Sequence, residues 1–211
     1  MALAKKAEFP KDKIDSSIAR GQGRSSAGAV LESITFEAIS PPAVALILEV
    51  ETDNRNRAIA DLKDILKNGK STASGSKYFF TRVGRVVFQK GAKGVDDIME
   101  DAIEAGAEDI ESDADGNIII WTQPTVTSQV CESLGNKLGL KVLSSEIIWS
   151  PNKETEAKVD SSPALPYFMK MLSALREYPD VQAVYSNISR GNLTDEEWAS
   201  ISESVDVGFD I

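Results

Sequence analysis

The chain has 211 residues, with 23 Lys+Arg against 33 Asp+Glu for a net charge of −10, a single cysteine (Cys131) and no histidine. Without an imidazole, Ser-His-Asp and Cys-His nucleophilic catalysis are excluded. One cysteine permits no intrachain disulfide and no Cys/His cluster for zinc, haem or an iron–sulfur centre, and 42% hydrophobic with 27% charged residues is an ordinary globular composition.

No apolar run approaches the roughly 20 residues of a membrane span; the best, Ala43 to Val50, ends on acids. Met1-Ala-Leu-Ala is followed at once by Lys5-Lys6, unlike a secretion signal, so an organellar presequence would lie outside this chain. Charge is uneven along the sequence. Residues 1–30 carry six bases and three acids, residues 31–91 nine and seven, and residues 92–211 eight and 23. This predicts a basic N-terminal half able to meet an anionic partner and an acidic half facing solvent or a protein.

In chain order, residues 1–30 read as a small helical piece. Pro10 can open a helix, Ile14 and Ile18 share a face, and Arg20-Gly21-Gln22-Gly23 stops it ahead of a linker of small residues, Arg24 to Gly28. Leu31 to Ile39 alternates as a strand with Ile34, Phe36 and Ala38 on one face. Ser40-Pro41-Pro42 turns the chain, and Ala43 to Glu51 is a strand buried on most of both faces. Asp53 is placed to cap a helix carrying Ile59, Leu62, Ile65 and Leu66 and ending at Asn68-Gly69.

Residues 85–149 then read strand, helix, strand, strand, helix, strand, the split βαβ order of ferredoxin-like folds. The parts are Arg85 to Gln89, a helix with Val95, Ile98, Met99, Ala102 and Ile103 on one stripe, and a hairpin of Glu108 to Ser112 with Asn117 to Trp121 across Asp115-Gly116. A helix with Val126, Val130, Leu134 and Leu138 and the strand Lys141 to Trp149 complete the set. Beyond an acidic linker, Pro151 to Pro163, a helix with Phe168, Met171, Leu172 and Leu175 leads to the strand Val181 to Ser186. Thr194 and Glu197 then form a capping-box pattern. The unpartnered halves on either side pair most economically into one domain. The predicted fold class is therefore α+β: a helical remnant (1–30), a discontinuous α/β-sandwich domain (31–82 plus 151–211) and an inserted ferredoxin-like βαββαβ domain (83–150).

The segment Thr52-Asp53-Asn54-Arg55-Asn56-Arg57 falls where a strand meets a helix N-terminus. Two arginines there oppose the helix dipole by about 0.3–1 kcal/mol each. Either they build an anion site with the outward-pointing N–H groups, or they pair with acids such as Glu49, Glu51 and Asp61. A second basic run, Lys70, Lys77, Arg82, Arg85 and Lys90, holds Tyr78, Phe79 and Phe80, of which Phe79 or Phe80 reads as core and the bases as phosphate contacts. Three motif matches fail. Gly69-Lys70-Ser71 lacks the upstream glycine of a phosphate-binding loop, and Asp113 to Asn117 lacks the glycine spacing and terminal glutamate of a calcium loop. Gly21-Gln22-Gly23 follows no strand. No catalytic, metal or cofactor constellation is left.

Several strings carry a resemblance: Pro10-Lys11-Asp12-Lys13-Ile14 with Arg20-Gly21-Gln22-Gly23, then Phe36-Glu37-Ala38, Val44 to Glu51 and Thr52 to Arg57, and finally Glu104 to Asp109 and Val181 to Tyr185. Together they resemble the YebC/PmpR family, which includes the mitochondrial translational activator of cytochrome c oxidase subunit I. The resemblance implies an N-terminal helical domain and two α+β domains, the third inserted into the second, with no enzymatic activity and no cofactor. It further implies a nucleic-acid partner: rRNA or mRNA at the ribosome for translational regulators, or DNA for transcriptional ones. Members usually begin with a longer basic helical segment, so this chain reads as N-terminally shortened. Ser40-Pro41-Pro42 stands where a glycine-rich turn is usual, a variant associated with fungal mitochondrial members and hence with a mitochondrial location; a bacterial member would be cytoplasmic. On this reading Lys6, Lys11, Arg20, Arg24, Arg55, Arg57, Lys77, Arg82 and Arg85 are the nucleic-acid contacts; the remaining alternative is a protein-interaction module that lacks nucleic-acid binding.

Overall fold

A computed structural model describes residues 10–24, 28–41, 43–91 and 93–206. Contacts divide them into two units, residues 10–77 with 155–206, and Tyr78–Glu154. Both are built on four-stranded antiparallel sheets with helices, an α+β architecture.

The first unit opens with helix α1 (Lys11–Gly21), which Pro10 caps; Ile14 is buried, whereas Ile18 stays exposed. Strands β1 (Glu32–Ser40) and β2 (Val44–Thr52) form a hairpin in continuous register from Glu32 opposite Thr52 to Ser40 opposite Val44. Ile34, Phe36, Ala38 and Ser40 point inward from β1, as alternation dictates, while β2 buries seven of its nine residues. That near-continuous burial fits a central strand, and β2 does lie between β1 and β9 (Val181–Ser186), with short β3 (Thr72–Ala73) beyond β1.

Helix α2 (Arg55–Asn68) follows β2 directly and buries Ala58, Leu62 and Leu66. It packs on α5 (Leu165–Glu177), whose Phe168, Met171, Leu172 and Leu175 come from the far end of the sequence. A parallel two-strand ribbon, β8 (Ala157–Val159) with β10 (Ile188–Arg190), borders this sheet. The final helix α6 (Asp195–Ser202) starts with the expected reciprocal cap: the Glu197 backbone N–H donates to Thr194 Oγ1 at 3.2 Å, and the Thr194 N–H to Glu197 Oε2 at 2.9 Å.

The second unit contains β4 (Phe80–Phe88), α3 (Val95–Ala105), β5 (Ala107–Ser112), β6 (Ile118–Thr122), α4 (Thr127–Leu138) and β7 (Val142–Pro151). Sheet order β5-β6-β4-β7, antiparallel throughout, is the split βαβ arrangement predicted. Its core gathers Val86, Phe88, Ile98, Ala102, Ile118, Ile120, Val130 and Leu134.

Three local expectations need correction. Asn54, not Asp53, caps α2: its side-chain oxygen accepts from the Arg57 N–H at 3.1 Å. Strand β4 begins at Phe80 rather than Arg85, and Phe80 is the buried aromatic of the run, while Tyr78 is exposed. On α3, Ile98 and Ala102 are buried but Met99 and Ile103 are exposed, because five positions span a wider arc than the sheet covers.

Candidate nucleic-acid interface

The junction between β2 and α2 is built around Asp180, which precedes β9. The Asp180 side chain is only 11% exposed and accepts hydrogen bonds from three directions. Thr52 Oγ1 donates at 2.8 Å, Arg57 Nη2 at 2.8 Å, and Arg20 Nη2 of α1 at 3.3 Å. Arg57 reaches Asp53 as well, at 3.1 Å. The hydrogen bond to Asp180 holds the Arg57 guanidinium above its ordinary pKa, with both neighbouring carboxylates adding to it. Beside this cluster the Tyr178 hydroxyl donates to Asp61 at 2.8 Å. Burial first, then the hydrogen bond to a carboxylate, pushes its pKa up to about 12.

The arginines of the Thr52–Arg57 string therefore do pair with acids: Arg57 takes Asp53 within the string and the distant Asp180, and Arg55 takes Glu32 at 2.7 Å. The two pairs differ in kind. Arg55 and Glu32 are each more than half exposed, so water screens them. Asp180 is nearly covered and depends on its partners.

The other cations fall as follows. Lys77 meets Glu37 at 3.3 Å. Burial pushes the Glu37 carboxyl up, but N–H groups from Ser76 and Lys77 and the Lys77 ammonium outweigh it, leaving its pKa lowered. In the second unit, Arg85 donates through Nε and Nη2 to one Glu146 oxygen, and Arg82 lies 5.5 Å from the Trp149 ring centroid. Lys11 and Arg24 are exposed and form no ion pair among the described residues. Lys6 lies outside the described residues. Of the predicted contacts, the fold thus brings Arg20 and Arg57 together, on a carboxylate, and leaves Lys11 and Arg24 facing solvent.

A further basic feature showed only one of its members in the linear pattern. Next to the β1–β2 turn and the end of α2 is a cavity of about 210 Å³, whose wall includes Ser40, Pro41, Lys70, Lys158, Tyr167 and Phe168. A second hollow, about 350 Å³, borders the same tyrosine and includes Asn68, Lys170 and Met171. Lys70 was visible as part of a basic run; Lys158, Tyr167 and Lys170 come from residues that fold back after the intervening second unit. No group of three or more metal-ligating side chains occurs among the described residues.

The pattern of likenesses agrees with this architecture. A family model described as the second and third domain of TACO1/YebC proteins matches residues 31–188. Proteins named "probable transcriptional regulatory protein" from Rubrobacter xylanophilus and Hyphomonas neptunium are each 37% identical to this chain over 94% of it, covering 78% and 77% of their own lengths. One from Bifidobacterium animalis is 37% identical over 87% of the chain and 72% of its own. The crystal structure of a conserved hypothetical protein from Aquifex aeolicus superposes with a TM-score of 0.68 at 29% identity, covering 91% of this chain and 78% of that one. With a family model spanning both sheets and relatives this similar along nearly the whole sequence, the chain belongs to the TACO1/YebC family.

Proposed function

We propose that this chain is a non-enzymatic regulator of gene expression that works by binding RNA at the ribosome, as an activator of translation. The observation carrying the regulatory part is the 37% identity, over 94% of the chain, to a protein named a probable transcriptional regulatory protein. RNA as the target, the ribosome and the mitochondrial setting rest on the resemblance in the sequence, including the Ser40-Pro41-Pro42 turn.

Pair energetics sort the contacts. An exposed ion pair is worth about 0–1 kcal/mol, so a phosphate can take Arg55 from Glu32 at little cost, whereas Lys77 and Arg85 are held by partly covered pairs with Glu37 and Glu146 and exchange less readily. Lys11 and Arg24 serve without such an exchange, and Lys6 adds a further cation on the same stretch of sequence. Arg20 and Arg57 cannot leave Asp180 so cheaply and act as the bracket that shapes the surface. Removing one cation that neutralises a phosphate reduces the slope of log affinity against log salt by about 0.7 for a single strand. Replacing Arg55 and Arg24 together by Ala is expected to flatten that slope by about 1.4 units; an unchanged slope refutes these contacts.

DNA is the second reading, favoured by the word "transcriptional" in the relatives' names. Crosslinking in cells, followed by sequencing of the bound nucleic acid, separates the two: rRNA and mRNA reads support the proposal, and promoter DNA reads support the alternative.

A further inference from the structure

Helix α2 ends in an unusual way. The Ser71 N–H returns to the Leu66 carbonyl and the Lys70 N–H to that of Lys67, a helix-closing motif whose left-handed position normally holds glycine. Here the glycine is one residue early. Gly69 has φ −90°, and Lys70 carries the left-handed φ of 58°. Gly69 is required for space, since a Cβ there would lie 2.4 Å from Met171 Sδ. Lys70 has no such excuse: glycine or asparagine would occupy its conformation with less strain. Strain of this sort is retained where a side chain has a task.

The task is legible in the surroundings. Lys70 Nζ stands 5.8 Å from the centroid of the Tyr167 ring, within the range of a cation–π contact. Tyr167 is 57% exposed although it is on a helix whose neighbouring aromatic, Phe168, is buried. Lys158 lines the same 210 Å³ cavity as Tyr167, and Lys170 lines a second hollow that Tyr167 also borders. Three lysines thus share hollows with one exposed aromatic, and Asp160 is the sole acid among the residues lining the two. Asp160 is already engaged by the Asn192 N–H at 2.9 Å. An apolar cavity of about 150 Å³ holds a benzene ring, so the 210 Å³ hollow has room for a single heteroaromatic ring.

We propose that Tyr167 is a stacking platform for one unstacked base of single-stranded RNA, the base entering the cavity beside Ser40 while Lys70, Lys158 and Lys170 hold the flanking phosphates. Aromatic faces interleaved with cations are how single strands are held without duplex geometry. The four-carbon Lys70 stem swings the ammonium from the ring face onto a phosphate as the base arrives. This inference rests on the nucleic-acid reading above and names the subsite and the form of the ligand.

The test uses the 211-residue chain and a fluorescent single-stranded RNA of mixed sequence, about 12 nucleotides long. Its anisotropy is followed at low salt beside DNA of the same sequence and duplex RNA, with melting temperature measured in parallel. Tyr167→Ala is expected to weaken RNA binding about 10-fold, and Tyr167→Phe, which keeps the ring, to restore it. Lys70→Gly is the sharper variant. Affinity is expected to fall while the melting temperature holds or rises, because glycine relieves the backbone. RNA binding that ignores both substitutions overturns this subsite but leaves the wider RNA reading standing. Absence of any nucleic-acid binding by the unaltered chain overturns both. Equal or tighter binding of the DNA strand or of the duplex overturns the single-stranded RNA assignment.

Discussion

Asp180 shows how one carboxylate settles what its neighbours do. Arg20 and Arg57 carry charges suited to a phosphate, yet both are spent on a nearly covered oxygen pair that Thr52 also bonds. Asp180→Ala removes a charged acceptor from three donors, and the expected loss is about 1–3 kcal/mol, read as a lower urea midpoint with an unchanged m-value. Arg55→Ala, at an exposed pair, is expected to change stability by less than about 1 kcal/mol in the same assay. Tyr178 adds a pH signature. Its folded pKa of about 12 lies above the ordinary value of about 10, so the folded state holds this proton more tightly. The stabilisation it brings is complete below about pH 10 and is lost as pH rises through about 12. Titration of tyrosinate absorbance should show late-ionising absorbance that Tyr178→Phe removes; a late phase unchanged in that variant would contradict the bond to Asp61.

Among the elements, those whose burial follows a simple period were legible in the sequence. Alternation in β1 and the four-residue spacing in α4 and α5 each report one covered face, and the apolar run of β2 reports two. The start of β4 was not, because Phe80-Thr81-Arg82-Val83-Gly84 mixes aromatic, cation and glycine and looks like a basic loop. The structure explains the glycine: a Cβ at Gly84 would lie 1.9 Å from Thr127 Oγ1 and 2.3 Å from Thr122 Oγ1, which share a 2.9 Å hydrogen bond against the β4 backbone. Gly84→Ala is expected to destabilise the second unit by about 1–3 kcal/mol, visible as earlier amide exchange confined to that unit. The helix cap at Asn54 was one residue from the expected Asp53. Both are good capping residues, and which one serves depends on Asp53 being drawn to Arg57.

For the molecule as a whole, charge along the sequence and charge in space part company. The basic N-terminal half and the acidic half after it suggest separate faces, but residues 155–206, with four bases and nine acids, fold into the same unit as the basic N-terminal residues. Arg57 and Asp180 lie 123 positions apart and still bond, a pairing that no local window displays. The candidate contacts were therefore legible as residue types, whereas their occupancy was set by tertiary partners. Nesting the second unit inside the first costs little backbone disorder, since β4 and β7 run in register from Phe80 opposite Pro151, and the Asn152 N–H closes on the Phe79 carbonyl at 2.8 Å. Entry and exit of that module thus lie side by side, where Asn152 bonds the carbonyls of Tyr78 and Phe79. The peptide 78–154, made by itself, is expected to fold cooperatively, and the parent relieved of 80–151 and sealed by a short glycine turn is expected to keep its own sheet; circular dichroism melts of both products check this. A gene could have acquired or could shed such a module in one cut-and-join event, with no rewiring of the host sheet.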